Sequence, residues 1–154
     1  HEEIGFNFRI TNLQSSIGCA QLERIQWFIK NKLNLAKNYK SKLSKFNFLI
    51  LPGVYGNVQN SYWLYTIRLD KNFMKYKSIL IKKMQKNGIE ARPIFYPMNM
   101  MKPYKRYINK KEKFPVSENL FNSSISLPSA YDVNKNDISM ISNFLKNFQN
   151  SIEK

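Results

Sequence analysis

A single cysteine, Cys19, and a single histidine, His1, occur in the 154 residues. One thiol excludes an internal disulfide framework and fits a reducing, cytoplasmic compartment. Cys19 falls among small and apolar residues, which reads as a packed thiol rather than a nucleophile. With one imidazole and one thiol there is no constellation of metal ligands, so Met98, Met100 and Met101 read as packing or as a substrate-lining wall. No apolar run approaches the ~20 residues a membrane-crossing helix takes. Acidic residues are scarce as well, 10 against 25 basic ones, for a net charge of +15. That balance raises nucleic acid or an acidic membrane as partner. However, 20 of the 25 are lysines scattered among asparagines on predicted helix faces, which is the pattern of a solvated surface, and neither partner is expected.

What is present suffices for one domain: 43% of the residues are hydrophobic. Leu13, Ile17, Ala20, Leu22, Ile25, Ile29, Leu33, Ala36, Tyr39 and Leu43 recur at helical spacing and predict one long amphipathic helix. Phe48–Leu51 reads as an edge strand, and Ser61–Leu69, apolar on both faces, as a central strand. Phe73, Tyr76, Leu80 and Met84 predict a helix stopped at Asn87-Gly88. Ile89–Phe95 is a return strand, placed at an edge by Pro93, which has no N–H to donate. An irregular stretch from Met98 to Lys113 follows. A short helix at Ser117–Phe121, a strand at Ile125–Leu127 and a last helix capped near Asn134 complete an α+β layer of three or four strands with helices packed on it. The sequence opens on His1 and reaches its first capping signal at Thr11, so the expectation is a fragment that begins in mid-architecture.

The stretch Gly5–Ile25, GFNFRITNLQSSIGCAQLERI, joins a loop to that first helix. Phe6 and Phe8 anchor a loop that presents Asn7 and Arg9, while Thr11 and Gln14 have the spacing of a capping box. An amide, a guanidinium and a helix N-terminus thus converge within about one turn, all donors suited to an anion such as phosphate.

The wording of that stretch, with ArgProIlePheTyrPro at 92–97, PheProVal at 114–116 and SerLeuPro at 126–128, resembles the C-terminal part of the DegT/DnrJ/EryC1/StrS sugar aminotransferases, in particular their perosamine-synthase-like branch. The resemblance implies the small C-terminal domain of a fold-type I aminotransferase, divided as an active-site and dimer loop over 1–12, a long interdomain helix over 13–45 and the α+β domain over 46–154. It also implies pyridoxal 5'-phosphate as cofactor, a cytoplasmic homodimer, and amino transfer from glutamate to a nucleotide-linked keto-deoxysugar. By the same resemblance Asn7 is expected to reach the cofactor phosphate of the neighbouring subunit, with Arg9 beside it; local pairing of the two is the plainer alternative. The lysine that holds the cofactor and the acid that protonates its ring lie upstream in such enzymes. No lysine of this sequence matches that motif, so no catalytic residue is assigned here.

Arg92 is a candidate for a donor carboxylate, or for a salt bridge with Glu90 or Asp132. Tyr96 is a candidate pocket wall, or core. Asn99 stands where the family often has a histidine of the sugar-nucleotide pocket; an amide keeps the hydrogen bonding but cannot titrate near neutrality. Two other readings stay open at this point: a basic α+β module binding an acidic polymer, and a truncated product with no role of its own.

Overall fold

A computed structural model of the chain describes residues 9–54, 56–109 and 111–152. Asn7 lies outside them. The capping box is formed: the Gln14 amide donates to Thr11 Oγ1 at 3.3 Å and the Thr11 amide to Gln14 Oε1 at 2.9 Å, and helix α1, Asn12–Leu22, starts there.

The single long helix expected from periodicity is interrupted, and a second helix, α2, runs over Ile25–Leu43. Neither proline nor glycine stands at the break. Arg24 relaxes to φ -106°, ψ 9°, and its N–H turns to the carbonyl of Gln21, three residues back, at 3.1 Å. Its guanidinium lies over Trp27 and Phe28, 4.9 and 5.5 Å from the ring centroids. A tightened turn of this kind interrupts a helix without a breaker residue. The surroundings differ too: α1 buries no residue, whereas α2 buries Lys32, Leu35, Ala36, Tyr39 and Leu43. Cys19, expected to be packed, is therefore exposed.

Four strands form one antiparallel sheet: β1 Leu49–Ile50, β2 Tyr65–Leu69, β3 Arg92–Pro93 and β4 Ser124–Leu127, in the order β1-β2-β4-β3. Ser61–Leu69 supplies the interior strand it predicts, though only from Tyr65. The residues before it form a loop in which Tyr62 takes φ 48° and its N–H bonds to Asn60 Oδ1 at 2.8 Å. Pro93 holds β3 to two residues at the sheet edge, where its missing donor costs no interior ladder bond.

Register sorts the sheet into two faces. Tyr65, Ile67, Leu69, Ile125 and Leu127 are buried in the core, where Tyr39 of α2 stacks on Tyr65 at 4.6 Å and its hydroxyl donates to the Pro128 carbonyl at 2.8 Å. Helix α3, Lys77–Lys86, adds Leu80, Ile81 and Met84. It ends where Gly88, at φ 73°, takes the left-handed conformation that glycine tolerates best. Helix α4, Pro115–Ser123, is longer than its sequence signal, and 3-10 turns at Met98–Met100 and Lys102–Tyr107 fill the irregular stretch before it. The last helix, α5, covers Lys135–Ile152. Asn134 caps it through Oδ1, which accepts from the amides of Asn136 and Asp137 at 2.7 and 3.2 Å, and it adds Ile138, Ile141, Leu145 and Phe148 to the core.

Candidate functional site

The second face of the sheet is polar because the alternation that buries Tyr65, Ile67 and Leu69 turns Thr66 and Arg68 the other way. Thr66 pairs with Ser126, and Ser126 with Arg92, so a hydroxyl, a hydroxyl and a guanidinium stand in a row across β2, β4 and β3. The two hydroxyls are 3.1 Å apart. A cleft of about 690 Å³ opens over this row, lined also by Lys32, Trp63, Phe95 and Glu90.

Of the alternatives for Arg92 the structure takes the ion pair with Glu90, and both side chains are largely exposed, 72% and 68%. An ion pair that open to water contributes roughly 0–1 kcal/mol, so an incoming anion can replace Glu90 on the guanidinium at little cost.

Lys32 closes the cleft from behind. Its side chain is buried, and Nζ donates to the carbonyls of Ser129 and, at 3.0 Å, Trp63. The ammonium also lies 4.9 Å from the centroid of the Tyr131 ring. Loss of water around the ammonium lowers its pKa. Ser129 extends the connection, its hydroxyl accepting from the Tyr65 amide at 2.8 Å and donating to the Leu127 carbonyl at 2.8 Å. The cleft wall is thereby tied to α2, β2 and β4 together. Tyr62, beside it, is a bulky residue in the left-handed region, a conformation that costs on the order of 1–3 kcal/mol and persists only where its surroundings hold it.

The residues singled out from the sequence are not gathered in one place. Arg92 lines the cleft; Tyr96 and Asn99 do not. Tyr96 is half-exposed and meets Phe121 of α4 edge-on at 5.0 Å, and Asn99 donates through Nδ2 to Glu118 Oε1, also on α4, at 3.1 Å. Arg9 is exposed at the entry to α1 with φ 48°. Sequence reasoning missed Lys32, Trp63 and Phe95 as site residues. The lysine looked like one more surface cation, and the two aromatics looked like residues of strands.

Pyridoxal phosphate, implied by the motif at Gly5–Ile25, can be tested against these donors. Thr11 and Gln14 are engaged with each other, which leaves the exposed Arg9 guanidinium as a donor fitted to a phosphate dianion at this end of α1. Lys32, with its ammonium on two carbonyls and an aromatic face, is not placed to hold the cofactor covalently. Among the described residues Arg9 is thus a donor of the kind a phosphate takes, and Lys32 is not a lysine free to react with the cofactor.

Comparison with known proteins shows which family the chain resembles. The chain is 35% identical over 152 residues to a GDP-perosamine synthase of Vibrio cholerae, covering 99% of this chain and 41% of that protein. To the GDP-perosamine synthase of Caulobacter vibrioides it is 37% identical over 102 residues, 66% of this chain and 28% of that one. Among solved structures, Helicobacter pylori PseC, an aminotransferase involved in the biosynthesis of pseudoaminic acid, has the same fold, with a TM-score of 0.81 at 23% identity over 96% of this chain and 40% of that one. The chain thus spans about two-fifths of the length of such relatives. The family model of the DegT/DnrJ/EryC1/StrS aminotransferases matches residues 1–146, taking in every strand and most of α5. From the loop before α1 to the last helix, the chain belongs to that family.

Proposed function

We propose that this chain is the C-terminal part of a pyridoxal-phosphate-dependent aminotransferase that moves an amino group from glutamate to a keto-deoxysugar carried on a nucleotide. The observation that carries this reading is the 35% identity to a GDP-perosamine synthase along 99% of the chain. In this reading residues 1–12 are the active-site and dimer loop of a cytoplasmic homodimer, 13–45 the helical connection to the larger domain, and 46–154 the small domain. Bound pyridoxal phosphate supplies the electron sink for the transfer. Asn7 and Arg9 hold its phosphate by charge-assisted hydrogen bonds. Arg92 exchanges Glu90 for the donor carboxylate, for which its planar fork is suited. Tyr96 and Asn99, both anchored on α4, form a flanking wall, and Asn99 orients a sugar hydroxyl without moving a proton. None of this chain's lysines anchors the cofactor.

The test is made in the assembled enzyme. Arg92→Ala removes a charge-assisted hydrogen bond, a loss of about 1.5–3 kcal/mol, and is expected to raise KM for glutamate about tenfold or more while KM for the sugar nucleotide stays put. Arg9→Ala is expected to weaken retention of the cofactor on a desalting column. An Arg92→Ala enzyme with unchanged KM for glutamate would remove Arg92 from the site.

A further inference from the structure

Lys32 stands where α2 calls for an apolar residue. The buried stripe of that helix runs Lys32, Leu35, Ala36, Tyr39, Leu43, at the three- and four-residue spacing of a single face, and a lysine on such a stripe costs free energy unless its ammonium is paired. Here the ammonium is met by the carbonyls of Trp63 and Ser129 and by the face of the Tyr131 ring. The two carbonyls belong to different strands' continuations.

Those continuations run on from β2 and β4 beyond their last paired residues, Tyr65 and Leu127. Past that pair the ladder stops. The Tyr65 amide turns to Ser129 Oγ at 2.8 Å, and Lys32 Nζ spans the two chains with a donor to each. An ammonium has three donors and can serve two carbonyls at once, whereas an apolar side chain of the same length can serve neither.

The same two continuations form one side of the cleft, through Ser61 and Leu64 before β2 and Pro128 and Ala130 after β4; the other side comes from β3 and the residues around it, Arg92 among them. Thr66, Ser126 and Arg92 stand on paired strand residues and keep their places without the lysine. Loss of its donors therefore moves the wall and leaves the polar row where it is, because carbonyls deprived of a donor in a poorly hydrated place shift to recover one.

We infer that Lys32 is a positioning residue for the cleft: it holds the continuations of β2 and β4 at the spacing that admits a substrate carboxylate to Arg92, acting through their carbonyls and without touching the ligand. The inference rests on the reading of Arg92 given above and adds to it the group that sets the shape of the site.

A double-mutant cycle in the assembled enzyme tests this, with KM for glutamate as one readout and deuterium exchange of main-chain amides as the other. Lys32→Met keeps the stem and removes the donors; it should raise KM for glutamate roughly five- to tenfold, and in an Arg92→Ala background the same change should add less than about twofold, since two residues that serve one ligand group are not independent. Amides over residues 60–64 and 128–131 should exchange faster in Lys32→Met while those of α5 do not change. Lys32→Arg, which retains donors for both carbonyls, should restore KM and exchange together. Should Lys32→Met fail to fold, Ser129→Ala, which releases the Tyr65 amide and leaves the lysine in place, is expected to raise KM for glutamate in its stead. If Arg92→Ala raises that KM and the folded Lys32 or Ser129 variant leaves it unchanged, the inference falls and the reading of Arg92 stands. It falls likewise if the double variant shows the full product of the two single effects, or if exchange over 60–64 and 128–131 is unaltered in Lys32→Met. An unchanged KM in Arg92→Ala would overturn the reading of Arg92 and the inference with it.

Discussion

Four buried titratable side chains give the molecule a pH dependence of definite sign. Tyr39 and Tyr65 are stacked in the core. Burial, with Asp137 and Tyr65 adding to it, pushes the Tyr39 phenol far above its usual range. Burial, aided by Tyr62, raises Tyr65 to about 12. Above the ordinary tyrosine value of 10.0 the unfolded phenols give up protons that the folded ones keep, so stability falls as pH climbs toward the folded values. Lys32 and Lys77 act oppositely. Burial lowers both from the ordinary 10.5, so the unfolded state binds more protons in the window just below that value, and stability rises with pH there. Urea midpoints measured from about pH 8 to about pH 12 should therefore rise and then fall. Tyr65→Phe should flatten the fall, and Lys77→Met the rise; a falling limb that Tyr65→Phe leaves unchanged would contradict the assignment. Neither lysine was legible in the sequence as a buried group. Each is hidden by an arrangement made only in three dimensions: Lys32 on carbonyls and Tyr131, Lys77 on the carbonyl and ring of Phe121, the latter 4.4 Å away.

At the scale of elements, what a local signal dictates was readable. Thr11 and Gln14 start α1, Gly88 ends α3, Asn134 starts α5, and Pro93 puts β3 at the edge. The break at Arg24 was not, because it involves no breaker residue and the apolar period runs through it. Strand lengths were also overread: Ser61–Leu64 has strand-like residues but is drawn into the loop around Tyr62. The two helices that share one sequence pattern should behave differently. Amides of α1, which buries nothing, should exchange with deuterium far faster than those of α2 and of β2 and β4, whose opening requires exposing the core. Equal protection across residues 12–43 would mean that they form one cooperative helix. Ile67, fully buried on β2, gives the reference for that core: Ile67→Ala should cost about 2–5 kcal/mol in denaturant unfolding, and a loss under 1 kcal/mol would show the sheet centre to be loosely packed, since even a one-methylene truncation typically costs about that much.

For the whole molecule, the apolar residues of the entry segment carry the main consequence. Ile10, Leu13 and Ile17, spaced three and four residues apart, are between 57% and 73% accessible, a run of exposed apolar surface on one side of α1 larger than scattered single residues would give. By itself the chain should associate through this face, and Leu13→Lys with Ile17→Lys should shift its sedimentation toward the monomer; an unchanged profile would place the association elsewhere. The polar row with Arg92 lies on the sheet, whereas Arg9 lies at the entry to α1. The reading of the chain as part of a larger aminotransferase is tested most directly by activity in separate and mixed preparations. The chain is purified, supplied with pyridoxal phosphate, glutamate and a nucleotide-linked keto sugar, and ketoglutarate release is followed with and without a separately made N-terminal portion of a GDP-perosamine synthase. The account predicts no release from the chain alone, because no lysine in it matches the motif expected to anchor the cofactor, and release on mixing that Arg9→Ala diminishes. Turnover by the chain alone, with one of its own lysines trapped on the cofactor by borohydride, would contradict it.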